Sequence, residues 1–291
     1  LLAARDDLRV VSGAKIAARA NEAGEGAGQV TVASTAGEVR LESGSRIRLD
    51  GFNGEAGGEL RVRAAATADD LRVADLGATI EGAVRTILAP VLRSDPVETL
   101  DAFVTESLRS LLDAFMAAAP ANIRARLGLG AETLIRPGLD VVADNDLVLA
   151  DAWNLADWRW DNQPGYLTLR APGNLTLQGN LSDGFVQSGT VLGQLDGDSW
   201  SYDLVAGADL ASVLAGGVRG RLLDAPATGV LELGDGLLIR TGTGDIRLVA
   251  ANDLILGGPT STIYTAGVAA RQAVNVGTFR ANWSRDGGDI S

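Results

Sequence analysis

The sequence contains neither cysteine nor histidine, and each absence excludes a class of function. Without cysteine the chain has no disulfide, no thiolate nucleophile and no cysteine-bound zinc or iron–sulfur cluster. Without histidine it has no serine–histidine–aspartate triad and no imidazole ligand for a metal. These absences exclude thiolate and imidazole ligands; we also expect no cofactor and no metal site in this chain.

Basic side chains are few and acidic ones abundant: 25 lysine and arginine residues stand against 37 aspartate and glutamate residues, a net charge of −12. A nucleic-acid-binding protein needs a basic face, so nucleic acid is not an expected partner. No run of about 18 uncharged apolar residues occurs, so no membrane span is expected. The first residues carry neither an initiator methionine nor a signal pattern, and we expect the sequence to be an internal piece of a longer chain.

What the sequence has instead is one short unit that occurs twelve times. In eleven of the twelve copies a Gly, Asn or Asp, which accept φ > 0 and form tight turns, stands one or two positions before the first apolar residue, and each copy has the pattern apolar–x–apolar, as in Leu175-Thr176-Leu177. This alternation places both apolar side chains on one face of a short strand. The first apolar residues of the units are therefore expected to line the interior as a ladder: Leu8, Val30, Val39, Ile47, Leu60, Leu71, Leu147, Leu167, Leu175, Leu231, Ile246 and Leu254.

The spacing of the units predicts the architecture. From Val30 the first apolar positions step by 9, 8, 13 and 11 residues, and Leu167 to Leu175 is a step of 8. Neighbouring steps sum to about 17–24 residues, which suits one coil of a parallel β-helix with two or three short strands. Because one coil cannot bury its apolar face alone, such a solenoid is stabilised by the stacking of coils. An antiparallel sandwich is the competing interpretation of strands at this spacing.

Between residues 74 and 137 the unit disappears and a helical spacing replaces it. Apolar residues step by 3 or 4, first from Leu76 to Val91 and then in the segment that follows Pro96. Asp95 directly before Pro96 has the pattern of a helix N-cap. We therefore predict an α-helical hairpin inserted into a mainly β chain, with boundaries at 1–73, 74–137 and 138–291. Packing against the β-helix is its simpler role, and a docking surface for a partner is the alternative.

Three carboxylates lie close together in the sequence, Asp196, Asp198 and Asp203, beside Trp200 and Tyr202. Glycoside cleavage uses a pair of carboxylates, so these three are the candidate catalytic residues of a polysaccharide-active enzyme. Asp-Gly-Asp is equally a turn signal, and acidic residues are abundant throughout the chain. We do not expect the chain to be an enzyme.

Aromatic residues make up only 4% of the chain, yet Trp153, Trp158, Trp160 and Tyr166 fall within fourteen residues. Trp158 and Trp160 alternate, so both are expected on one face of an extended segment. One interpretation is a hydrophobic plug where the β-helix resumes. The other is a stacking platform for glycans formed by Trp158, Trp160 and Tyr166.

Several stretches resemble large filamentous-haemagglutinin-like exoproteins of Gram-negative bacteria. They are residues 165–185 (GYLTLRAPGNLTLQGNLSDGF), 199–210 (SWSYDLVAGADL), 242–254 (GTGDIRLVAANDL) and 261–267 (STIYTAG). The resemblance covers residues 138–291 well and residues 1–73 only by the style of the repeat; the segment between them carries none of it.

The resemblance implies a long right-handed parallel β-helix that is exported by two-partner secretion through a dedicated outer-membrane transporter. Such chains act at the cell surface or after secretion as adhesins, biofilm factors or stalks, and their partners are glycans or proteins of host-cell or bacterial surfaces. The family supplies no catalytic residues to carry over. We therefore expect a structural and adhesive shaft segment, with a glycan-binding module or a polysaccharide-active enzyme as the alternatives.

Overall fold

The computed structural model describes residues 1–23, 27–188, 191–212, 217–218, 228–269, 274–276, 279–281, 284–285 and 287–291. These residues are mainly β-strand, with parallel pairing between most strands and one α-helix, so the prediction of a mainly β chain is confirmed. The chain divides into two compact units, residues 1–93 with 111–138 and residues 94–110 with 139–291.

In the first unit the chain visits three parallel sheets in turn. The long sheet consists of Leu2–Ala4, Gln29–Ser34, Glu59–Ala65, Arg85–Arg93 and Thr133–Ile135. The second sheet consists of Leu8–Val10, Val39–Leu41 and Val73–Leu76. The third sheet consists of Lys15–Ala17, Arg46–Arg48 and Thr79–Glu81, and a 3-10 turn at Phe52–Gly54 follows its middle strand.

One passage of the chain through the three sheets of the first unit, here called a circuit, is longer than the sequence predicts. Gln29 pairs with Glu59, 30 residues later, and Val39 pairs with Val73. The prediction of about 17–24 residues for a coil is therefore wrong for this unit. Each circuit holds three strands and three connections, whereas the sequence estimate added only two neighbouring steps.

The second unit also contains three parallel sheets. Its long sheet consists of Gly138–Val142, Tyr166–Ala171, Ser201–Ala206 and Ile246–Ala250. Its second sheet consists of Thr99–Leu100, Leu147–Leu149, Leu175–Leu177, Leu231–Leu233 and Leu254–Leu256. Its third sheet consists of Trp153–Asn154, Leu181–Ser182, Leu238–Thr241 and Thr262–Thr265. Three antiparallel pairs stand apart: Phe185–Ser188 with Val191–Gln194, Val268–Ala269 with Ser284–Arg285, and Val274–Val276 with Phe279–Ala281.

The interior of the second unit is built from stacked leucines. Leu175 pairs in register with Leu147 on one neighbouring strand and with Leu231 on the other, and all three are fully buried. Leu254 pairs with Leu231 on the last strand of the same sheet but is 50% exposed. The alternation of apolar and polar residues within each apolar–x–apolar repeat is the reason for this arrangement, because it directs the first and third side chains of the repeat to one face of the strand.

The predicted ladder residues occupy three different stacks. Val39 and Ile47 are fully buried on the second and third sheets of the first unit, and Leu60 is fully buried on its long sheet. Leu8 is half-buried in the first circuit. Leu71 is buried but lies outside the second sheet: it forms an antiparallel bridge with Ala66, and the strand begins two residues later. The remaining predicted residues on strands, Val30, Leu167 and Ile246, are buried on the long sheets.

Glycines at the strand starts are required because the backbone of a neighbouring strand lies very close, and not because the turn needs a positive φ. A Cβ on Gly58 would lie 2.0 Å from the carbonyl oxygen of Gly28, and a Cβ on Gly244 would lie 1.9 Å from that of Trp200. Neither glycine has a positive φ. The backbone of the preceding circuit approaches too closely for any side chain, so the stacking of circuits selects glycine there.

The predicted helical hairpin is wrong. Residues 73–93 form the strands Val73–Leu76, Thr79–Glu81 and Arg85–Arg93, and a single helix, Ala102–Leu127, follows among the described residues. The first stripe of apolar residues contains Ile80 and Ile87 with Thr79 and Thr86 as neighbours. These β-branched side chains favour strands over helices. The spacing of 3 and 4 positions between these apolar residues therefore comes from short strands separated by turns.

Two carboxylates of the second unit cap the start of the helix. Asp101 accepts a hydrogen bond from the Val104 backbone N–H at 2.8 Å, and Asp151 accepts one from the Ala102 N–H at 2.9 Å. Asp95, the predicted N-cap, is exposed and lies before the strand Thr99–Leu100, so that prediction is wrong. A carboxylate at the positive end of the helix dipole satisfies backbone donors that have no partner within the helix.

The last turns of the helix are fastened within the first unit. Arg126 binds both carboxylate oxygens of Asp70, at 2.5 and 2.7 Å, and donates to the carbonyl oxygens of Leu71 and Val73 at 3.1 and 2.7 Å. Asn122 donates to the Asp69 carboxylate at 3.1 Å. These bonds order the irregular segment that precedes the third strand of the second sheet.

Candidate functional site

Four tryptophans of the second unit meet in one cluster. The ring centroids of Trp153 and Trp158 are 5.4 Å apart, and Trp200 lies 6.3 Å from Trp158 and 6.4 Å from Trp160. All three contacts are edge-to-face, a geometry worth about 0.5–1.5 kcal/mol per pair beyond the burial of the rings. Trp153, Trp158 and Trp200 are buried, and Trp160 is half-buried. This cluster is a packed centre of the unit.

An ion pair with a buried carboxylate holds the cluster in place. Arg159 donates to both carboxylate oxygens of Asp183 at 2.8 Å, and Asp183 is fully buried. The same carboxylate accepts the Trp200 backbone N–H at 2.6 Å, and the Trp200 indole N–H donates to the Trp158 carbonyl oxygen at 2.9 Å. Because every lone pair direction of a buried carboxylate must be satisfied, Asp183 fixes the loop that carries Trp158 against the strand that follows Trp200.

Tyr202 lies in the same interior and is almost fully buried. Its hydroxyl is buried and has no hydrogen-bond partner among the described residues. Burial raises the pKa of Tyr202 well above its ordinary value, and the negative charge of Asp183 adds to the rise, against a smaller opposing effect of Arg159 and Arg240. Burial therefore favours the protonated phenol in the folded unit.

The three candidate glycan-stacking residues differ in accessibility. Trp158 and Tyr166 are 5% and 6% exposed, so neither presents a ring face to solvent. Trp160 is half-buried, with one side against Trp200. A stacking platform needs an accessible ring, and of the three only Trp160 is more than marginally exposed. The position of the other two matches the hydrophobic plug, the alternative that their sequence clustering also allowed.

The three candidate catalytic carboxylates have different surroundings. Asp203 is bound by Arg247 at 2.6 Å, and the two residues are register partners on neighbouring strands of the long sheet. Asp196 is exposed and Asp198 half-buried, on either side of Gly197, whose φ is +95°. Asp196 and Asp198 therefore occupy a turn, whereas Asp203 forms an ion pair with Arg247 across neighbouring strands of the long sheet.

Metal ligation has no candidate among the described residues. No group of three or more aspartate, glutamate or other ligating side chains converges there in a way that could hold an ion. The three carboxylates near residue 200 all lie within the described part of the chain, and they do not form such a group.

Asp and Asn side chains that precede strands join consecutive circuits. Asp7 accepts the backbone N–H of Glu38 at 2.9 Å, and Asp146 accepts that of Asn174 at 2.7 Å. Asn174 in turn accepts the N–H of Val230 at 3.0 Å. The sequence identified these residues as turn formers, but each also binds the equivalent backbone position of the next circuit. This stack of acceptors fixes the register of one strand upon another.

Sequence reasoning missed two groups of the second unit. The Arg159–Asp183 pair gave no signal, because its members lie 24 residues apart with no motif between them. The guanidinium of Arg240 lies 4.3 Å from the ring centroid of Phe185 and donates to the Tyr264 hydroxyl at 3.3 Å. Arg240 lies between the buried Ile239 and Thr241 on its strand, so the alternation of a strand points its side chain outward; this alternation was the available sign that Arg240 belongs to the surface of the third sheet.

No protein-family model, no curated protein and no solved structure matches this chain. In the part of the chain that the structure describes, no helix is both long and apolar enough to cross a membrane. The function therefore has to be inferred from the residues and their geometry.

Proposed function

We propose that this chain is a segment of a right-handed parallel β-helix that serves as a structural and adhesive shaft. The observation that carries the proposal is the stacking of three parallel sheets, visited in turn, over an interior ladder such as Leu147, Leu175 and Leu231. The right-handed sense follows from the strong preference of parallel crossover connections. A stack of this kind is quasi-one-dimensional and can be lengthened circuit by circuit, which suits a shaft.

The proposed setting is the outer surface or the medium of a Gram-negative bacterium. Large exoproteins of the kind that residues 165–185 resemble cross the outer membrane through a dedicated transporter, and that transporter is the proposed partner during export. The absence of cysteine supports this, because a chain without disulfides can pass a narrow pore unfolded. The proposed partner after export is a glycan or a protein on a host-cell or bacterial surface.

The proposed role is not enzymatic. Asp203, the candidate on the long sheet, has its carboxylate bound by Arg247 at 2.6 Å, so it is engaged in an ion pair between neighbouring strands. If the role were nevertheless hydrolytic, changing Asp196, Asp198 and Asp203 to Asn would abolish release of reducing sugar from polysaccharides. Equal release from the wild type and this variant, or none from either, supports the structural role.

Adhesion is tested directly with the purified chain. Beads coated with it should bind epithelial cells or bacterial biofilms more than beads coated with the Leu177→Asp variant, whose circuits are disrupted. The Thr176→Asp variant, which changes the same charge on the outer face of the same strand, is the matched control and should bind like the wild type. Equal binding by all three coatings would contradict an adhesive role that needs the folded stack.

Glycan recognition is the second candidate for the receptor contact, and the half-buried Trp160 favours it. On a glycan array the wild type would bind and Trp160→Ala would not, whereas Trp153→Ala is unsuitable because Trp153 is buried. No difference between wild type and Trp160→Ala would leave a protein receptor as the proposed partner.

A further inference from the structure

The connection that leads from the third sheet of the first unit to its long sheet turns tightly at Asn53 and Gly54. Both residues have a positive φ, 44° at Asn53 and 88° at Gly54, and the ψ of Asn53 is 37°. Positive φ at both central residues defines a type I′ turn, for which Asn-Gly is a preferred pair. The Glu55 N–H donates to the Phe52 carbonyl oxygen at 2.8 Å and closes the turn.

The peptide group between Asn53 and Gly54 has room to rotate. Both residues are exposed, and a Cβ on Gly54 would have no atom within 4 Å apart from its chain neighbours. The bond that closes the turn joins Glu55 to Phe52, so it uses neither the carbonyl oxygen of Asn53 nor the N–H of Gly54. This peptide group can therefore rotate while the closing bond stays in place.

Asn53 is the only one of the eleven asparagines in the sequence that is followed by glycine. The backbone nitrogen of the next residue can attack Cγ of an asparagine carboxamide, and this nitrogen is least hindered when its own residue carries no Cβ. Ring closure needs the nitrogen on the same side of the Cα–C bond as the Cβ of the asparagine. At the observed ψ of 37° the Gly54 nitrogen points to the opposite side.

Rotation of the peptide group between Asn53 and Gly54 brings the nitrogen to the reactive side. It converts the type I′ turn into a type II′ turn, in which φ stays positive at the first central residue and ψ becomes about −120°. That ψ places the Gly54 nitrogen beside the Cβ of Asn53. The φ of Gly54 changes sign in the rotation, and glycine adopts either sign readily. One local rotation therefore separates this turn from ring closure.

We propose that Asn53 and Gly54 form a self-modification site, at which the chain converts its own asparagine into aspartate and isoaspartate. The Gly54 nitrogen bonds to Cγ of Asn53 and the Cγ–Nδ2 bond breaks, so ammonia leaves with the proton of the Gly54 N–H and a succinimide remains. Water then opens the ring. Cleavage between the nitrogen and Cγ gives aspartate, and cleavage between the nitrogen and the backbone carbonyl carbon gives isoaspartate. Water is the only co-reactant.

Both products place a new carboxylate at an exposed turn, and isoaspartate also lengthens the backbone there by one methylene. The strand that follows is held in place by its neighbours. The Gly58 N–H donates to the Leu49 carbonyl oxygen at 2.8 Å, and the backbone of Gly57 lies so close to Gly82 that a Cβ would be 1.5 Å from its carbonyl oxygen. The change in backbone length is therefore confined to residues 51–56.

Peptide mapping of the folded chain by mass spectrometry, after incubation in mildly alkaline buffer, tests the proposal. The peptide that contains Asn53 should gain the mass that replaces NH2 by OH and should separate into two chromatographic forms, with ammonia released in equal amount. Because only a local rotation is needed, the folded chain should react within roughly tenfold of the rate of the chain unfolded in urea. A slower folded rate would show that the turn protects Asn53 and would overturn the proposal.

Asn162 is a control within the same chain. It is exposed and has a positive φ of 59° in a two-residue turn. It is followed by Gln163, whose N–H donates to the Trp160 carbonyl oxygen at 2.9 Å, so the attacking nitrogen is both hindered and engaged. The peptide that contains Asn162 should keep its mass. A gain of mass there at the rate of Asn53 would mean that exposure alone decides, and would overturn the proposal.

Two variants test the ring closure itself. Asn53→Gln lengthens the side chain by one methylene, so the same attack would close a six-membered ring and should be slower by roughly tenfold or more. Gly54→Ala adds a Cβ beside the attacking nitrogen and should slow the reaction by roughly tenfold or more. Both positions are exposed, so thermal unfolding should show that both variants fold. Ammonia release at the wild-type rate from either variant would overturn the proposal.

Discussion

Leu177 and Thr176 are neighbours on one strand but face opposite sides of it. Leu177 is fully buried and pairs with Leu149 and Leu233, whereas Thr176 is half-buried on the outward face. Leu177→Asp should lower the free energy of unfolding by about 4 kcal/mol or more, because it buries an unpaired charge. Thr176→Asp should lower it by less than about 1 kcal/mol. Urea denaturation followed by circular dichroism measures both, and equal losses would refute the register.

Tyr202 predicts a response to alkaline pH. Because its pKa is raised in the folded state, its contribution to stability is complete below the ordinary tyrosine pKa of about 10 and is lost as the pH rises beyond it, where the unfolded chain ionises. Tyr202→Phe should therefore flatten the loss of stability between about pH 10 and 12. At pH 7 it should be neutral or slightly stabilising, since the buried hydroxyl has no described partner.

The control for that experiment is Tyr264→Phe. Tyr264 is half-buried and its hydroxyl accepts a hydrogen bond from Arg240 at 3.3 Å, so Tyr264→Phe removes a phenol that, unlike the Tyr202 phenol, has a described hydrogen-bond partner. Thermal unfolding at a series of pH values gives both curves. A wild-type slope retained in Tyr202→Phe would place the alkaline transition elsewhere in the molecule.

At the scale of the element, the helix provides a direct comparison between sequence and structure. Asp101→Ala should cost about 1 kcal/mol, because it removes the acceptor for the Val104 N–H. Asp95→Ala, at the position that the sequence pattern predicted as the cap, should cost almost nothing because Asp95 is exposed in an extended segment. Thermal unfolding of the two variants should rank them in this order, and the reverse order would restore the sequence-based cap.

The attachment of the helix end should weaken in acid. Burial raises the pKa of Asp70, but hydrogen bonds from Arg126 and from the Leu71 N–H outweigh it, so the pKa is lowered overall. Because the pKa of Asp70 is lowered in the folded state, its charged carboxylate stabilises the fold fully at pH values above the ordinary carboxylate pKa of about 4. This stabilisation is lost as the pH falls through the lowered pKa of the folded state. Because both partners are partly exposed, we expect only about 1 kcal/mol.

Asp70→Asn should therefore reduce stability at pH 7 and reduce the further loss below about pH 4. Hydrogen exchange in residues 120–127 reports the attachment directly and should accelerate in this variant. Glu22→Gln removes an exposed charge from the same unit and is the matched control. Equal effects of the two substitutions would mean that Asp70 acts only through net charge.

These elements also show how far the sequence predicts the fold. Alternation within three residues was sufficient for the parallel strands, because that signal is local and each copy repeats it. Ile80 and Ile87 gave a false helical period, because apolar residues on separate strands fell 3 or 4 apart across turns. The Arg159–Asp183 pair and the burial of Trp158 depend on contacts between distant segments, and no local pattern contains them.

At the scale of the whole molecule, charge is distributed unevenly along the chain. Residues 94–291 hold 24 of the 37 acidic side chains but only 13 of the 25 basic ones. Like charges disfavour association and reduce the rate of encounter. We therefore expect binding to surface glycans, where it occurs, to favour neutral sugars over sulfated or sialylated ones.

A glycan array at about 50 mM and at 150 mM salt, near the physiological ionic strength, measures this preference. Binding to acidic glycans should be weaker than to neutral ones and should increase with salt, because screening removes the repulsion. Strong binding to sulfated glycans that decreases with salt would contradict the prediction and would indicate a local basic surface in the first unit.

The stack of Leu175, Leu231 and Leu254 has a consequence for how such a chain can change over generations. Leu175 and Leu231 are direct partners although 56 positions separate them, while Leu231 and Leu254 are partners across 23. Strand pairing in this sheet is therefore preserved although the connections between the paired strands differ in length. We therefore expect the connecting loops to tolerate insertion, exchange or deletion of whole peptides by recombination. New surface specificities could arise in this way without any change in the packing of the interior.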